Sequence, residues 1–186
     1  DRFVKALPDH VILALDEAYY EFLDNPPASL DYVKEGRKVV LMRTFSKIQG
    51  LAGIRIGYGL ACSEISDLLQ RARQPFNTNS IAQAGALAGL MDHDHQRKTK
   101  QITDLGRSLF QDAFQKRGLP FVPSAANFVL LNVGDANHVF KALLQKGIIV
   151  RSMVSYKMPE WIRVSIGTNE QNLAFLKALD EVLKKA

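Results

Sequence analysis

Val11-Ile12-Leu13-Ala14-Leu15 is an unbroken apolar run that stops at Asp16-Glu17. A short run apolar on both faces predicts a strand that wants cover on both sides, as in a parallel sheet. Val39-Val40-Leu41-Met42 is a second such run. Between them lie the turn residues Asn25-Pro26-Pro27 and a short helical stretch over 29–34. That connection is long enough for a crossover, so the two strands are expected to be parallel. A third strand is expected over 54–61. The link from Ser46 to Gly53 is too short for a helical crossover, which predicts an antiparallel pairing with the second strand.

Helical periodicity follows. Ser63 is expected to cap a helix running to Gln70 and ended near Pro75. Asn79 or Ser80 opens another, apolar at Ile81, Ala84, Leu87, Ala88 and Met91. A long polar helix is expected over 94–116, with Ile102, Leu105, Leu109, Phe110 and Phe114 at helical intervals, stopped by Gly118 and Pro120. Beyond it the pattern changes. Strands are expected over 127–133, 148–150 and 162–165, and a helix over 136–146 closed by Gly147. Thr168-Asn169-Glu170-Gln171 has the form of a capping box. It opens a terminal helix with Leu173, Leu176, Leu179 and Leu183 on one face. The fold class is α/β, with a mixed, mainly parallel sheet followed by a small α+β unit. The expected domains are 1–117 and 118–186. Three strands are few for a doubly wound sheet, so further strands are expected before Asp1.

Composition narrows the class. The 186 residues are 47% hydrophobic with a formal charge of +5, ordinary for a globular chain. Basic residues gather only at Arg71/Arg73, Arg97/Lys98/Lys100 and Lys184/Lys185, a poor footprint for nucleic acid. Cys62 is the single cysteine, so no internal disulfide forms and the cytoplasm is the expected compartment. No apolar run approaches the ~20 residues of a membrane span.

Three segments carry chemistry. Asp16-Glu17-Ala18-Tyr19 ends the first strand, Thr44-Phe45-Ser46-Lys47 ends the second, and Gly53-Ile54-Arg55-Ile56-Gly57-Tyr58 leads into the third. Ligands of open α/β sheets bind beyond the carboxyl ends of parallel strands, where Asp16 and Lys47 both stand. Singly, such residues are turn, surface or ion-pair residues. Their joint order fits pyridoxal phosphate (PLP). Lys47 supplies the amine that the cofactor's aldehyde takes up. A carboxylate such as Asp16 keeps the pyridine nitrogen protonated. Ser46 and Arg55, with Thr44, suit the phosphate. Tyr19 suits the ring hydroxyl.

These segments resemble the fold type I PLP aminotransferases, and their order and spacing are most similar to the histidinol-phosphate aminotransferase family. Pro75-Phe76-Asn77, Ala126-Asn127-Phe128, Gly147-Ile148-Ile149-Val150-Arg151 and Ile162-Arg163-Val164-Ser165-Ile166-Gly167-Thr168 extend the likeness over essentially the whole chain. The resemblance implies transamination between histidinol phosphate or imidazole-acetol phosphate and glutamate or 2-oxoglutarate, in histidine biosynthesis, by a cytoplasmic homodimer. It implies Lys47 as the catalytic base, and Asp16, Tyr19, Thr44, Ser46 and Arg55 around the cofactor. Arg163, Arg151 and Asn127 would bind substrate.

Asn132 departs from the pattern, standing where some members carry a further arginine. The family's ring-stacking aromatic, phosphate-binding amides, upstream asparagine and partner-subunit tyrosine would all precede Asp1. The chain is therefore expected to be a C-terminal part that holds the cofactor weakly by itself. Other readings are an aromatic aminotransferase, a PLP decarboxylase, the aminotransferase-like effector domain of a transcription regulator, or a structural domain. The last leaves the order of Asp16, Lys47 and Arg55 unexplained. His93 and His95 lack further ligands nearby in sequence and are expected to form a polar helix junction; His10 and His138 are expected at the surface, and no metal is expected.

Overall fold

The computed structural model describes residues 1–184. Lys185 and Ala186, the end of the second expected domain and one member of the last basic pair, lie outside the described residues. The described residues form two compact units, one over 1–96 and one from Arg97 onward.

The first unit starts with a short helix, α1 (Arg2–Lys5), and is built on a three-stranded sheet: β1 (Leu13–Asp16), β2 (Val39–Thr44) and β3 (Gly57–Leu60), in the order β1-β2-β3. β1 and β2 are parallel, with Leu13 opposite Val39 and Asp16 opposite Met42. The connection between them carries α2 (Leu30–Lys34), as the crossover requires. β3 returns antiparallel, with Leu41 opposite Leu60 and Thr44 opposite Gly57.

Only one face of this sheet is covered among the described residues. Leu13, Leu15, Val39, Leu41 and Leu60 pack with Val4, Tyr32 and Val33. The other face leaves Ala14, Asp16, Met42, Gly57 and Gly59 exposed. The sequence expectation of strands covered on both faces thus differs from what these residues build. The apolar residues of both faces are present, but only one face has partners here.

Two helices follow, α3 (Ser63–Ala72) and α4 (Ser80–Met91). The N-cap of α3 is Cys62, with Ser63 already helical and no side-chain cap, which corrects the expected Ser63 cap. Asn79 caps α4 by accepting from the Ala82 amide at 2.7 Å. The apolar positions expected along α4 are not its packed ones: Ile81, Leu87 and Met91 are exposed, while Ala82 and Ala86 are buried. Small residues are packed because the helix lies close to the chain before β3. A Cβ on Gly85 would meet Ile54 at 3.0 Å, and one on Gly89 would meet Leu51 at 3.2 Å.

The long helix α5 (His93–Lys116) begins at the end of the first unit, and most of it belongs to the second. Its Phe110, Ala113 and Phe114 enter the second core. The expected boundary at 117/118 put this helix with the first domain. The compact units instead divide between Gln96 and Arg97, because the second sheet packs on that helix.

That sheet has the order β4-β5-β7-β6, from β4 (Phe121–Val122), β5 (Phe128–Asn132), β6 (Arg151–Ser152) and β7 (Trp161–Ser165), all neighbours antiparallel. The segment 148–150, expected as a strand, is not one; pairing starts at Arg151. Helix α6 (Ala136–Gln145) is capped by Asp135, which accepts from the Asn137 and His138 amides. Helix α7 (Asn169–Leu183) opens with the full Thr168/Gln171 capping box. Of the expected leucine face, Leu176 and Leu179 are buried and Leu183 packs partly buried against the core, while Leu173 is 49% exposed; Phe175, Ala178 and Val182 complete the buried side. Phe110 and Phe175 meet edge to face at 5.4 Å between centroids, the geometry that aromatic quadrupoles favour.

Candidate active site

The ends of β1 and β2 carry most of the sequence-derived site. Asp16 is the last residue of β1 and exposed. Its Oδ1 accepts from the Ala18 amide at 3.0 Å, a short turn that orients the carboxylate. No cation pairs with it among the described residues. Thr44 ends β2, and its Oγ1 accepts from the Ser46 amide at 3.1 Å. This turn directs the chain out of the strand toward Lys47.

Lys47 is half-buried. Its Nζ lies 5.2 Å from the centroid of the Tyr19 ring, within cation–π range. No carboxylate pairs with this ammonium among the described residues. The structure thus brings together Tyr19, from the loop after β1, and Lys47, from the loop after β2. The loop beyond Lys47 is tied down at several points. Gly50 N donates to Lys47 O at 3.0 Å, and Leu51 N donates to Phe45 O at 2.9 Å. His95 Nε2 lies 3.1 Å from Ile48 O.

Arg55 is placed by backbone geometry. It follows the short 3-10 turn Ala52–Ile54 and adopts the left-handed region at φ 57°, uncommon for a residue with a Cβ. Its neighbour Ile56 accepts from the Phe45 amide at 3.3 Å, which sets this segment beside Phe45-Ser46. The guanidinium is exposed and donates to Ala52 O at 2.6 Å. Gly57, opposite Thr44, admits no side chain: a Cβ there would meet Arg43 O at 2.8 Å.

The second unit holds the other candidates. Arg163 on β7 stands directly opposite Arg151 on β6. Like charges directly opposite are unfavourable in a sheet, and neither has a carboxylate partner among the described residues. Arg163 Nε is buried without a hydrogen bond, and its guanidinium carbon lies 5.0 Å from the Phe128 ring centroid. Arg151 is exposed and reaches the Tyr156 hydroxyl at 3.3 Å. Asn127 is half-buried, and its carbonyl accepts from Ile166 N at 2.9 Å. Asn132 accepts from the Gly134 amide at 3.0 Å, a turn role that its amide side chain suits.

Sequence reasoning passed over the polar cluster behind β1 and β2. Arg43 Nε donates to Glu17 Oε2 at 2.9 Å, with side chains 16% and 4% exposed. The Ser29 hydroxyl donates to the other Glu17 oxygen. Burial works against the Arg43 charge, and its bonds to Glu17 and Tyr58 more than offset that, holding the guanidinium above its usual range. Burial pushes the nearby Glu21 carboxyl up. A charged residue within β2, directly after its apolar run, was the signal available for Arg43. His95 likewise does more than join helices, since it contacts the loop after Lys47. The described residues contain no group of three or more His, Cys, Asp or Glu placed to hold a metal, and no described helix is long and apolar enough to cross a membrane.

The chain is similar in sequence and fold to known proteins. The family described as aminotransferase class I and II matches residues 3–179. A histidinol-phosphate aminotransferase of Akkermansia muciniphila is 47% identical over 183 residues, 98% of this chain and 50% of that protein. Histidinol-phosphate aminotransferase 2 of Pseudomonas aeruginosa is 44% identical over 98% of this chain and 50% of its own length. The chain thus spans about half the length of these relatives. Among solved structures, histidinol-phosphate aminotransferase from Sinorhizobium meliloti, in complex with pyridoxal-5'-phosphate, superposes with a TM-score of 0.89 at 31% identity, covering 99% of this chain and 52% of that one. A putative histidinol-phosphate aminotransferase from Erwinia carotovora atroseptica gives a TM-score of 0.91 at 26% identity, over 100% of this chain and 54% of that chain. The chain belongs to the aminotransferase class I and II family.

Proposed function

We propose that these residues belong to a PLP-dependent histidinol-phosphate aminotransferase, which moves an amino group between histidinol phosphate or imidazole-acetol phosphate and glutamate or 2-oxoglutarate. The observation that carries the reading is the unpaired Lys47 amine set against Tyr19, on loops that leave the strand ends of Asp16 and Thr44. The donor set fits the cofactor: one amine, one carboxylate without a cation, three hydroxyls and an exposed guanidinium at Arg55. When bound, PLP supplies an aldehyde for amine exchange and a pyridinium that draws electron density from the substrate.

The residues have separate tasks. The Lys47 amine holds the cofactor at rest and removes the proton from the substrate α-carbon during turnover. The Asp16 carboxylate keeps the proton on the ring nitrogen by charge. The Tyr19 hydroxyl serves the ring hydroxyl. Ser46, Thr44 and Arg55 take the cofactor phosphate. Arg163 and Arg151, two cations facing one another without an acid among the described residues, take the phosphate of histidinol phosphate or the carboxylates of glutamate, a role that Asn127 shares. The complete protein works as a cytoplasmic homodimer in histidine biosynthesis.

Steady-state assays of the complete protein on histidinol phosphate, phenylalanine and threonine phosphate test the substrate. Preference for histidinol phosphate supports the reading. Preference for phenylalanine, or release of carbon dioxide from threonine phosphate, overturns it.

A further inference from the structure

Glu17 is buried and Arg43 largely so; both are charged and unused by the chemistry proposed above. Side chains alternate across a strand. Glu17 and Arg43 therefore lie on the covered side of the sheet, with Leu15 and Leu41, while Asp16 and Thr44 face the other side. The Glu17 amide donates to Met42 O at 2.9 Å, so the β1–β2 ladder continues to this point. Arg43 also stacks on Tyr20, with its guanidinium carbon 3.8 Å from the ring centroid. Two partners of this guanidinium, Glu17 and Tyr20, are thus sequence neighbours of candidate cofactor residues. Glu17 follows Asp16, Tyr20 follows Tyr19, and Arg43 itself precedes Thr44.

We infer that Arg43 is a positioning residue, whose ion pair with Glu17 and stack on Tyr20 hold Asp16, Tyr19 and Thr44 in the geometry that receives the cofactor. This rests on the reading of the site as a PLP site. Only arginine meets both demands, because its planar fork bonds a carboxylate along its edge and stacks through its face. The Ser29 hydroxyl satisfies the second Glu17 oxygen, which keeps the carboxylate in one orientation. Loss of the fork leaves strand pairing intact but frees the two turns beyond it.

The turns report this directly. The Ala18 amide is bonded to Asp16 Oδ1 at 3.0 Å, and the Ser46 amide to Thr44 Oγ1 at 3.1 Å. Hydrogen exchange at these amides is to be measured in the cofactor-free complete protein, with PLP affinity by absorbance titration and thermal midpoints alongside. Arg43→Lys keeps the charge and removes the fork. It is expected to speed exchange at Ala18 and Ser46 and to weaken PLP binding, each about tenfold, while exchange in β5 and β7 stays unchanged. Tyr20→Leu keeps the ion pair and is expected to shift the same amides by less. Wild-type exchange in Arg43→Lys overturns the inference, and so does faster exchange throughout the chain, which marks a merely structural role. If the wild-type protein takes up no PLP, the functional reading fails; exchange at Ala18 and Ser46 then still decides whether Arg43 sets the turn geometry.

Discussion

The Lys47 ammonium lies 5.2 Å from the centre of the Tyr19 ring, although the two residues come from loops after different strands. Parallel pairing of β1 and β2 brings those loops to the same end of the sheet. The aromatic face attracts the charge without neutralising it, so the amine stays available to a ligand.

Asp16 is expected to act through its charge. In Asp16→Asn the shape is kept and the proton on the ring nitrogen is no longer held. The kcat/KM for histidinol phosphate should fall by about 10²- to 10³-fold, as for other lost electrostatic stabilisers. Activity within about twofold of wild type would exclude this role for Asp16.

Arg163 is expected to act on substrate binding. Its Nε is buried without a partner, and Arg151 faces it across the strand pair. Arg163→Gln removes a charge-assisted bond and should raise KM for glutamate about 10- to 100-fold. PLP affinity should stay at the wild-type value. Kinetics with saturating cofactor, beside a cofactor titration, separates the two effects; a change confined to cofactor affinity would move Arg163 out of the substrate site.

The second unit carries a pH-dependent tie. Arg117 donates to both Asp180 oxygens, at 2.6 and 2.7 Å. The bond to Arg117 holds the Asp180 carboxyl below its usual range. A carboxyl lowered on folding adds stability above its unfolded pKa and loses it as pH falls through the folded value. The pair is partly exposed, so the contribution is at most about 1 kcal/mol. Asp180→Asn should therefore cost up to that amount near pH 7, with the difference vanishing in acid. Denaturant midpoints at both pH values check this, and an equal cost at both would rule out the charge as its source.

Much of the first sheet was legible because local rules decide it. Loop length alone set β1 and β2 parallel and β3 antiparallel, and the Thr168/Gln171 cap is visible as four consecutive residues. What escaped the sequence depends on contacts between distant segments. The packed side of α4 is made of alanine and glycine because the 51–54 segment approaches it closely; apolar periodicity counts large residues and selects the wrong side. The face of α7 is rotated toward Phe175 by its contact with Phe110. In the site, Asp16 and Lys47 could be read from motif and strand ends. Arg43 and Glu17 could not, because their pairing requires the register of β1 on β2. The left-handed backbone at Arg55 is likewise not signalled by its residue type; it lies next to Ile56, whose carbonyl accepts from the distant Phe45 amide.

Lys47 is proposed as the residue that holds PLP. Reduction of the PLP-loaded complete protein with borohydride, followed by peptide mass mapping, tests it most directly. A phosphopyridoxyl label is expected on the peptide that carries Lys47, absent in Lys47→Ala. A label on another lysine, or its persistence in Lys47→Ala, would contradict it.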